Sequence, residues 1–283
     1  MELAGIDIHV HPRTEQFITA AGARAEQMAA YFGREVKPVS FDELADQYRA
    51  RNMMAALMNT TDEATSGIPP VPNDVIAAAV KKHPDVFIGF GAIEPVQGER
   101  AKDEIRRCAE ELGLRGLGEL NPGRQHFFPD DEAFYPLWEE ASRQKLIVLF
   151  HTGMMGAGAN TPGGMGYKLK YTRPIPHLDD LAADFPELQI IGAHPSWPWQ
   201  TDSLAVCRHK TNFWIDLSGW APKYFSPELV QYANSIIQDR VLFGSDWPVL
   251  TVERWLDEFE KLSIRPEVRQ KIMVDNARRL LGL

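Results

Sequence analysis

The sequence predicts a distorted (β/α)8 barrel, an α/β fold of the TIM-barrel type, that forms a single domain. Three observations support this prediction: eight short runs rich in Ile, Val, Leu and Phe, helical patterns between most of them, and a length of 283 residues. Alternation of strands and helices at this spacing is typical of βαβ units and a parallel sheet. Eight such units need roughly 250 residues, which this chain can supply.

The predicted strands are the apolar runs at residues 3–10, 53–59, 86–93, 114–120, 146–151, 188–193, 212–217 and 241–245. These runs are nearly continuous in apolar residues, which is typical of strands buried on both faces. The predicted helices lie at residues 41–51, 73–82, 100–112, 131–144, 175–185, 201–210, 227–238 and 252–262. A closing helix is expected at 266–283, and residues 1–283 are expected to form one domain.

Two predicted connections are longer than those between the other strands and helices. The first helix of the barrel begins near Phe41, so residues 13–40 are interpreted as an insertion near the barrel mouth. The glycine-rich stretch at 153–166 is predicted to be a mobile loop or lid. A doubly wound sheet, the main alternative fold, would place a glycine-rich phosphate loop after the first strand. The sequence there is His9-Val10-His11-Pro12 instead.

Charge and composition exclude several classes of protein. The chain has 30 Lys and Arg against 39 Asp and Glu, with a net charge of −9 and no basic stripe, so no nucleic-acid partner is expected. No run approaches the roughly 18 apolar residues of a membrane span. The N-terminal residues lack the pattern of a secretory signal. Cys108 and Cys207 are interpreted as free thiols, which predicts a reducing, cytoplasmic location.

Polar side chains cluster at the C-terminal ends of five predicted strands. His9 and His11 are two apart, so they point to the same face of the first strand. The other positions are at or just after the ends of later strands: Glu119, His151, His194 and Asp246. In a parallel barrel these ends form one rim, which is where active sites are built.

Several imidazoles with one or two carboxylates suit one divalent metal, with Zn²⁺ as the favoured ion. Such a site lowers the pKa of a bound water toward ~7, and an adjacent carboxylate can take its proton. Two roles stay open for Glu119, which is either a metal ligand or a contact to substrate or to the ligands. Asp216 and Ser218, at the seventh strand, are interpreted as structural residues.

Further residues near this rim are candidates for substrate binding. Lys168, Tyr171 and Arg173 follow the glycine-rich loop, where a guanidinium can pair with an anionic substrate. A solvated charged face is the alternative interpretation of this cluster. Trp197 follows His194-Pro195 and is a candidate apolar wall for a planar or cyclic substrate. His126 follows the fourth strand and is a weaker candidate.

The motifs carry a family resemblance along almost the whole chain. They are GIDIHVHP, GLGELNP, LFHTG, DDLAADFPELQIIGAHPSWPW, VLFGSDWP and DNARRLLGL. With these segments the sequence resembles the amidohydrolase superfamily. More narrowly, it is similar to the amidohydrolase-related branch that contains aminocarboxymuconate-semialdehyde decarboxylase, resorcylate-type decarboxylases and several lactone hydrolases.

The resemblance implies a distorted barrel with a mononuclear divalent metal and no organic cofactor. It would make His194 a catalytic residue that polarises or protonates the substrate, and Asp246 a proton carrier for metal-bound water. Glu119 stands where binuclear relatives have a carbamylated lysine, which disfavours a two-metal site without excluding one bridged by Glu119. The implied metal ligands are His9, His11, His151 and Asp246.

Three functional hypotheses remain at this stage. The leading one is a metal-dependent hydrolase of a small carboxylate-bearing substrate, such as a lactone or another cyclic ester or amide. The alternative is a metal-dependent, non-oxidative decarboxylase of an aromatic or muconate-like acid. A barrel that binds a ligand without turnover is the third. The expected partner is a small molecule, and a homo-oligomer stays open as the assembly.

Overall fold

The computed structural model describes residues 3–283, and within them eight parallel strands form one nearly closed barrel. Each strand pairs with the next along the chain, in the order β1 to β8. The strands are β1 (Gly5–Val10), β2 (Met53–Met58), β3 (Phe87–Gly91), β4 (Gly116–Leu120), β5 (Ile147–His151), β6 (Ile190–Ala193), β7 (Phe213–Asp216) and β8 (Val241–Leu242). The predicted (β/α)8 barrel is confirmed.

Backbone hydrogen bonds connect the region of the last strand, β8, to the first strand, β1. The N–H of Ile8 donates to the carbonyl of Phe243 (3.0 Å), and the N–H of Asp246 donates to the carbonyl of His9 (2.9 Å). Val10 and Trp247 form a further parallel bridge. This closure brings residues near both ends of the chain to the same rim.

Helices fill the connections between the strands. They are α1 (Glu15–Ala21), α2 (Ala23–Phe32), α3 (Phe41–Ala50), α4 (Glu63–Ser66), α5 (Asn73–Lys82), α6 (Glu99–Glu110), α7 (Pro122–Gln125), α8 (Tyr135–Arg143), α9 (His177–Asp184), α10 (Gln200–His209), α11 (Pro227–Ala233), α12 (Val252–Phe259), α13 (Pro266–Gln270) and α14 (Asn276–Leu281). The start of α3 shows why the sequence folds this way. Ser40 and Glu43 cap each other's backbone N–H groups in a capping box.

Strand alternation divides the core into two layers. One layer packs the outer face of the strands against the helices, with Phe150 and Trp138 among its largest side chains. The other lies on the inner face, where Ile147 and Leu149 of β5 are buried. Because side chains alternate with a period of two, His151 continues this inner face at the end of the strand.

The closing helix predicted at 266–283 is interrupted. Between α13 and α14 the chain makes a π-helical turn at Lys271–Asp275. The carbonyl of Ile272 in this turn accepts a hydrogen bond from the N–H of Phe243 (2.9 Å). The turn is therefore hydrogen-bonded to the last strand region, a long-range contact that a sequence pattern does not reveal.

Residues 13–40 are largely helical and lie over the barrel mouth. The side chain of Gln27 on α2 bonds the glycine-rich loop three times, donating to Gly156 (3.3 Å) and Ala159 (2.9 Å) and accepting from the N–H of Gly158 (2.9 Å). The insertion at residues 13–40 and the glycine-rich loop are therefore linked by side-chain hydrogen bonds, although they are far apart in the sequence. No helix within residues 3–283 combines the length and the apolar composition that crossing a membrane requires.

Candidate active site

The structure brings the predicted polar residues together at the C-terminal rim of the barrel. His9 lies on β1, Glu119 on β4 and His151 at the end of β5. His194 follows β6 directly, and Asp246 lies four residues after the end of β8. All five side chains are buried or nearly so, which is unusual for charged groups unless they pair or bind an ion.

A first donor set consists of His9, His11 and Asp246. The Nε2 atoms of the two histidines are 3.1 Å apart. Oδ1 of Asp246 lies 3.2 Å from Nε2 of His11 and 3.8 Å from Nε2 of His9. Three potential ligand atoms therefore converge on one small volume.

A second donor set consists of His151 and His194. Nε2 of His194 lies 3.1 Å from Nδ1 of His151. Glu119 stands between the two sets: its Oε1 is 2.6 Å from Nδ1 of His151, and its Oε2 is 3.7 Å from Nε2 of His11. One carboxylate thus offers an oxygen to each set.

These spacings fit a coordinated cation. An ion with bonds of about 2.0–2.2 Å to nitrogen and oxygen holds neighbouring tetrahedral donors about 3.3 Å apart. The donor pairs of the first set lie between 3.1 and 3.8 Å apart. In addition, Nε2 of His151 is buried and has no hydrogen-bond partner within residues 3–283. This buried imidazole nitrogen, on a ring whose Nδ1 contacts the Glu119 carboxylate, is chemically suited to a divalent metal.

Asp216 and Ser218, interpreted from the sequence as structural, contact the histidines directly. Oδ2 of Asp216 lies 2.9 Å from Nδ1 of His9, and its Oδ1 accepts from the backbone N–H of His194 (3.1 Å). The Ser218 hydroxyl lies 2.8 Å from Nδ1 of His194. The seventh strand therefore orients imidazoles carried by two other strands. Spacing along the chain could not show this, because the partners are far apart in sequence.

Electrostatics favour positive charge in this cluster. Burial by itself lowers the pKa of His9, but the Asp216 carboxylate outweighs burial and raises that pKa to about 10. Burial raises the pKa of Asp216, yet the His9 imidazole brings it down to about 2. Against its own burial, Glu119 has a pKa held well below the usual range by His151. The carboxylates thus stay ionised and attract a cation.

Backbone conformation places two of the side chains. His194 and Asp246 both adopt positive φ, at 69° and 61°. This conformation costs free energy in residues other than glycine, and it is concentrated at functional sites. Gly219 (φ 72°) lies alongside, and a Cβ there would come within 2.6 Å of Nδ1 of His194. The close approach of this backbone to the imidazole requires glycine.

A cavity of about 640 Å³ opens onto the donor sets. This volume is in the range of small-molecule sites. The cavity reaches His11, Glu119 and Asp246 at one end, and residues of the insertion form much of its wall. Apolar side chains that line it include Phe17, Met28, Met155, Trp197 and Trp220.

Of the five residues predicted to bind substrate, one lines the cavity and four do not, within residues 3–283. Trp197 lines the cavity, as expected of an apolar wall. Tyr171 stacks on His126 at a centroid distance of 5.8 Å, and His126 bonds the carbonyl of Gly166. Arg173 is half exposed and pairs with Asp202 (3.0 Å). Of the predicted residues, Lys168, Tyr171, Arg173 and His126 are absent from the cavity wall within residues 3–283.

Five arginines that were not predicted as substrate residues line the cavity instead: Arg13, Arg24, Arg34, Arg124 and Arg254. Arg124 lies on α7 immediately after β4, and Arg24 lies on α2 of the insertion. The position of Arg124 after a strand end was a usable signal, since it follows the same rule as Glu119. Arg24 carried no such signal, because only the folded insertion brings it to the mouth.

The parallel barrel and its rim of histidines and carboxylates define an enzyme of the amidohydrolase superfamily. The chain belongs to the amidohydrolase family, whose sequence model matches residues 6–283. It is similar to a gamma-resorcylate decarboxylase from Polaromonas, with 26% identity over 247 residues that cover 75% of each chain. The expected resemblance to the branch containing decarboxylases is confirmed.

Solved structures show the same architecture. An uncharacterised TIM-barrel protein from Bordetella bronchiseptica superposes with a TM-score of 0.77 at 26% identity, covering 98% of each chain. A dihydroxybenzoic acid decarboxylase from Polaromonas superposes with a TM-score of 0.67 at 21% identity, covering 100% of this chain and 98% of that one. That structure contains manganese and the inhibitor 2-nitroresorcinol.

Proposed function

We propose that this protein is a metal-dependent, non-oxidative decarboxylase of an aromatic carboxylic acid. The observation that carries the proposal is the convergence of the two donor sets on Glu119, which lines the cavity at the barrel mouth. The similarity to a gamma-resorcylate decarboxylase over 75% of the chain supports decarboxylation rather than hydrolysis. It therefore favours the second of the sequence-based hypotheses over the leading one.

We propose His9, His11, His151 and Asp246 as the residues that hold the metal, with Glu119 as a further ligand or a bridge. Zinc remains our prediction because imidazole predominates among these donors. The manganese of the Polaromonas decarboxylase supports a divalent ion and makes Mn²⁺ the comparison. When bound, the ion would supply a Lewis acid for the substrate carboxylate and an adjacent oxygen.

The reaction requires the bond between ring and carboxylate to break and a proton to reach the ring carbon. Carbon dioxide leaves, and the ring carbon keeps the electron pair that the proton then shares. His194 and Asp246 belong to the two donor sets and both line the cavity, so either can hold this proton close to the substrate. The apolar wall that includes Trp197 would lie against the aromatic ring of the substrate.

The test combines metal exchange with a substrate screen. The purified protein is stripped with a chelator and reloaded with Zn²⁺ or Mn²⁺, with metal bound per chain measured by mass spectrometry. It is then offered hydroxybenzoic acids, including 2,6-dihydroxybenzoate, alongside a panel of lactones. We expect metal-dependent release of carbon dioxide with formation of the corresponding phenol. Ring opening of a lactone without gas release from any acid would instead support the hydrolase.

A further inference from the structure

Where the barrel closes, between β1 and residues 243–247, a side chain takes the place of part of the sheet. β8 has only two residues, and the chain that follows it lies against β1. The N–H groups of Ser245 and Trp247 donate to side chains: Ser245 to Oδ1 of Asp7 (2.9 Å) and Trp247 to Oγ of Ser245 (3.0 Å). Asp7 therefore supplies some of the hydrogen bonding that closes the barrel.

The Asp7 carboxylate is fully buried and accepts from four donors within residues 3–283. Its Oδ1 accepts from the N–H groups of His9 (3.2 Å) and Ser245 (2.9 Å). Its Oδ2 accepts from the hydroxyls of Tyr48 (2.7 Å) and Ser245 (2.6 Å). These donors fill the roughly four lone-pair sites of the two oxygens, so Asp7 is not available to a metal or a substrate.

Two of the residues bonded by Asp7 adjoin or belong to the first donor set. Ser245 immediately precedes Asp246, and His9 is itself a member of the set. The N–H of Asp246 also donates to the carbonyl of His9 (2.9 Å), so Asp7 and this backbone bond hold the same two segments together. Oδ1 of Asp246 lies 3.8 Å from Nε2 of His9 as a result.

Asp246 needs this support because of its backbone conformation. Its φ is 61°, in the left-handed region, where a residue other than glycine persists only when the surrounding structure holds it. The two bonds between Ser245 and Asp7 fix the chain just before this residue. Without them, Asp246 could relax and its carboxylate would move away from the histidines. A buried polar network in which every group is satisfied specifies one arrangement, which an apolar contact at the same place would not do.

We propose that Asp7 is a positioning residue: through Ser245 it holds the Asp246 carboxylate beside the Nε2 atoms of His9 and His11. Asp7 contacts neither the metal nor the substrate, and its contribution is to the affinity of the site for the ion. The inference rests on the metal site of the proposed function, but metal affinity can be measured without any turnover.

The first experiment compares two variants that each remove one hydroxyl from the same carboxylate oxygen. Ser245→Ala and Tyr48→Phe both delete a donor to Oδ2 of Asp7, but only Ser245 adjoins Asp246. The affinity of the stripped proteins for Zn²⁺ and Mn²⁺ is measured by competition with a chromogenic chelator, and the stability of the metal-free proteins by denaturant unfolding. We expect Ser245→Ala to lose about 10–100-fold in metal affinity, as is usual for residues that orient a ligand. Tyr48→Phe should lose stability and keep the metal affinity of the parent protein.

Two results would overturn the proposal. Unchanged metal affinity in Ser245→Ala would mean that the contact with Asp7 serves folding alone. An equal loss of affinity in Tyr48→Phe would show that general loosening of the barrel, and not the position of Asp246, explains the effect.

The second experiment changes the carboxylate itself. Asp7→Asn keeps the size of the side chain but offers one accepting oxygen, and its amide places N–H donors where Asp7 accepts. Its loss of metal affinity should be at least as large as that of Ser245→Ala. The double variant Asp7→Asn, Ser245→Ala should lose less than the sum of the two single losses, because Ser245 acts through Asp7. Additive losses would contradict this route, and the comparison of Ser245→Ala with Tyr48→Phe decides the question if Asp7→Asn does not fold.

The same measurements separate this inference from the proposed function. A parent protein that binds metal but releases no carbon dioxide from any acid would refute the decarboxylase, and the variants would still decide the role of Asp7. Release of carbon dioxide by a protein whose metal affinity does not depend on Ser245 would do the reverse. A parent protein that binds neither ion would overturn both.

Discussion

Asp216 and His9 form a fully buried pair, with Oδ2 of the carboxylate 2.9 Å from Nδ1 of the imidazole. The contact joins the end of β7 to β1. It directs the other ring nitrogen of His9, Nε2, toward His11 and Asp246. A carboxylate behind a ligating histidine sets its tautomer and raises its basicity. Asp216, which its position in the sequence marked only as structural, therefore orients a proposed metal ligand.

Asp216→Asn should weaken metal binding without removing a ligand. Loss of the charge behind His9 is expected to cost about 10–100-fold in metal affinity. Competition with a chromogenic chelator measures this change. The exposed Asp103→Asn is the control and should retain the affinity of the parent protein. Unchanged affinity in Asp216→Asn would show that the pair serves folding only.

His9→Ala and His194→Ala should have different effects on metal content. We expect His9→Ala to lose the metal and to reduce turnover by more than ~10²-fold, because ligands act as a unit. His194→Ala should keep the metal and lose turnover, as a proton-handling residue would. Metal analysis of the two variants, with exposed His209→Ala as the control, checks both expectations. Loss of metal from His194→Ala would make His194 a ligand of the second donor set.

Gly219→Ala tests the close approach of the backbone to His194. The new Cβ would lie 2.6 Å from Nδ1 of His194 and 3.2 Å from Oδ2 of Asp246. We expect about 1–2 kcal/mol of lost stability from the positive φ and a loss of turnover of about tenfold or more from the displaced imidazole. Denaturant unfolding and kinetics measure the two effects.

Gly113→Ala is the control that distinguishes backbone strain from the contact between a new Cβ and His194. Gly113 also has positive φ (64°), but a Cβ there meets nothing within 4 Å. This variant should lose similar stability and retain full turnover. Equal loss of turnover in both glycine variants would refute the contact with His194 as the cause.

The two cysteines should be unreactive in the folded protein and should make stability fall at high pH. Burial raises the pKa of Cys108 and of Cys207 to about 12, from an ordinary value of 9.0. Between these values the folded state binds more protons than the unfolded state. Stability should therefore be complete below pH 9 and decline as the pH rises toward 12.

Thiol titration and unfolding curves check this prediction. A disulfide reagent at pH 8 should modify neither thiol until denaturant is added. The double variant Cys108→Ala, Cys207→Ala should show a shallower decline in the free energy of unfolding above pH 9. Rapid modification of the native protein would contradict the burial of both thiols.

Gln27→Ala should free the glycine-rich loop. The variant loses the three hydrogen bonds that tie α2 to residues 156–159. Hydrogen exchange at the Gly158 amide is expected to quicken, since that amide donates to the Gln27 side chain. Exposed Gln231→Ala is the control, and protection of Gly158 that survives in Gln27→Ala would mean that other contacts hold the loop.

Local patterns were enough to predict the barrel and most of its rim. A continuous apolar run such as residues 146–150 predicts a buried strand. A polar residue at the end of that strand, such as His151, is then expected at the rim of a parallel barrel. The closing helix was less well predicted, because nothing in its periodicity marks the π-helical turn at Lys271–Asp275, whose Ile272 carbonyl accepts from the N–H of Phe243. Lys168, Tyr171 and Arg173 were predicted to bind substrate because the cluster after the glycine-rich loop is cationic, and none of the three lines the cavity within residues 3–283.

By itself, the sequence determined the alternation of strands and helices, the approximate ends of the strands and the chemical identity of the side chains there. Periodicity and residue type are local properties, so they can be read along the chain. Only the tertiary structure decided that Asp216 orients His9 and that Arg24 meets Arg124 across Asp62. Each of these contacts joins segments that are distant in the chain, and their distances follow from how the barrel closes and how the insertion folds over its mouth.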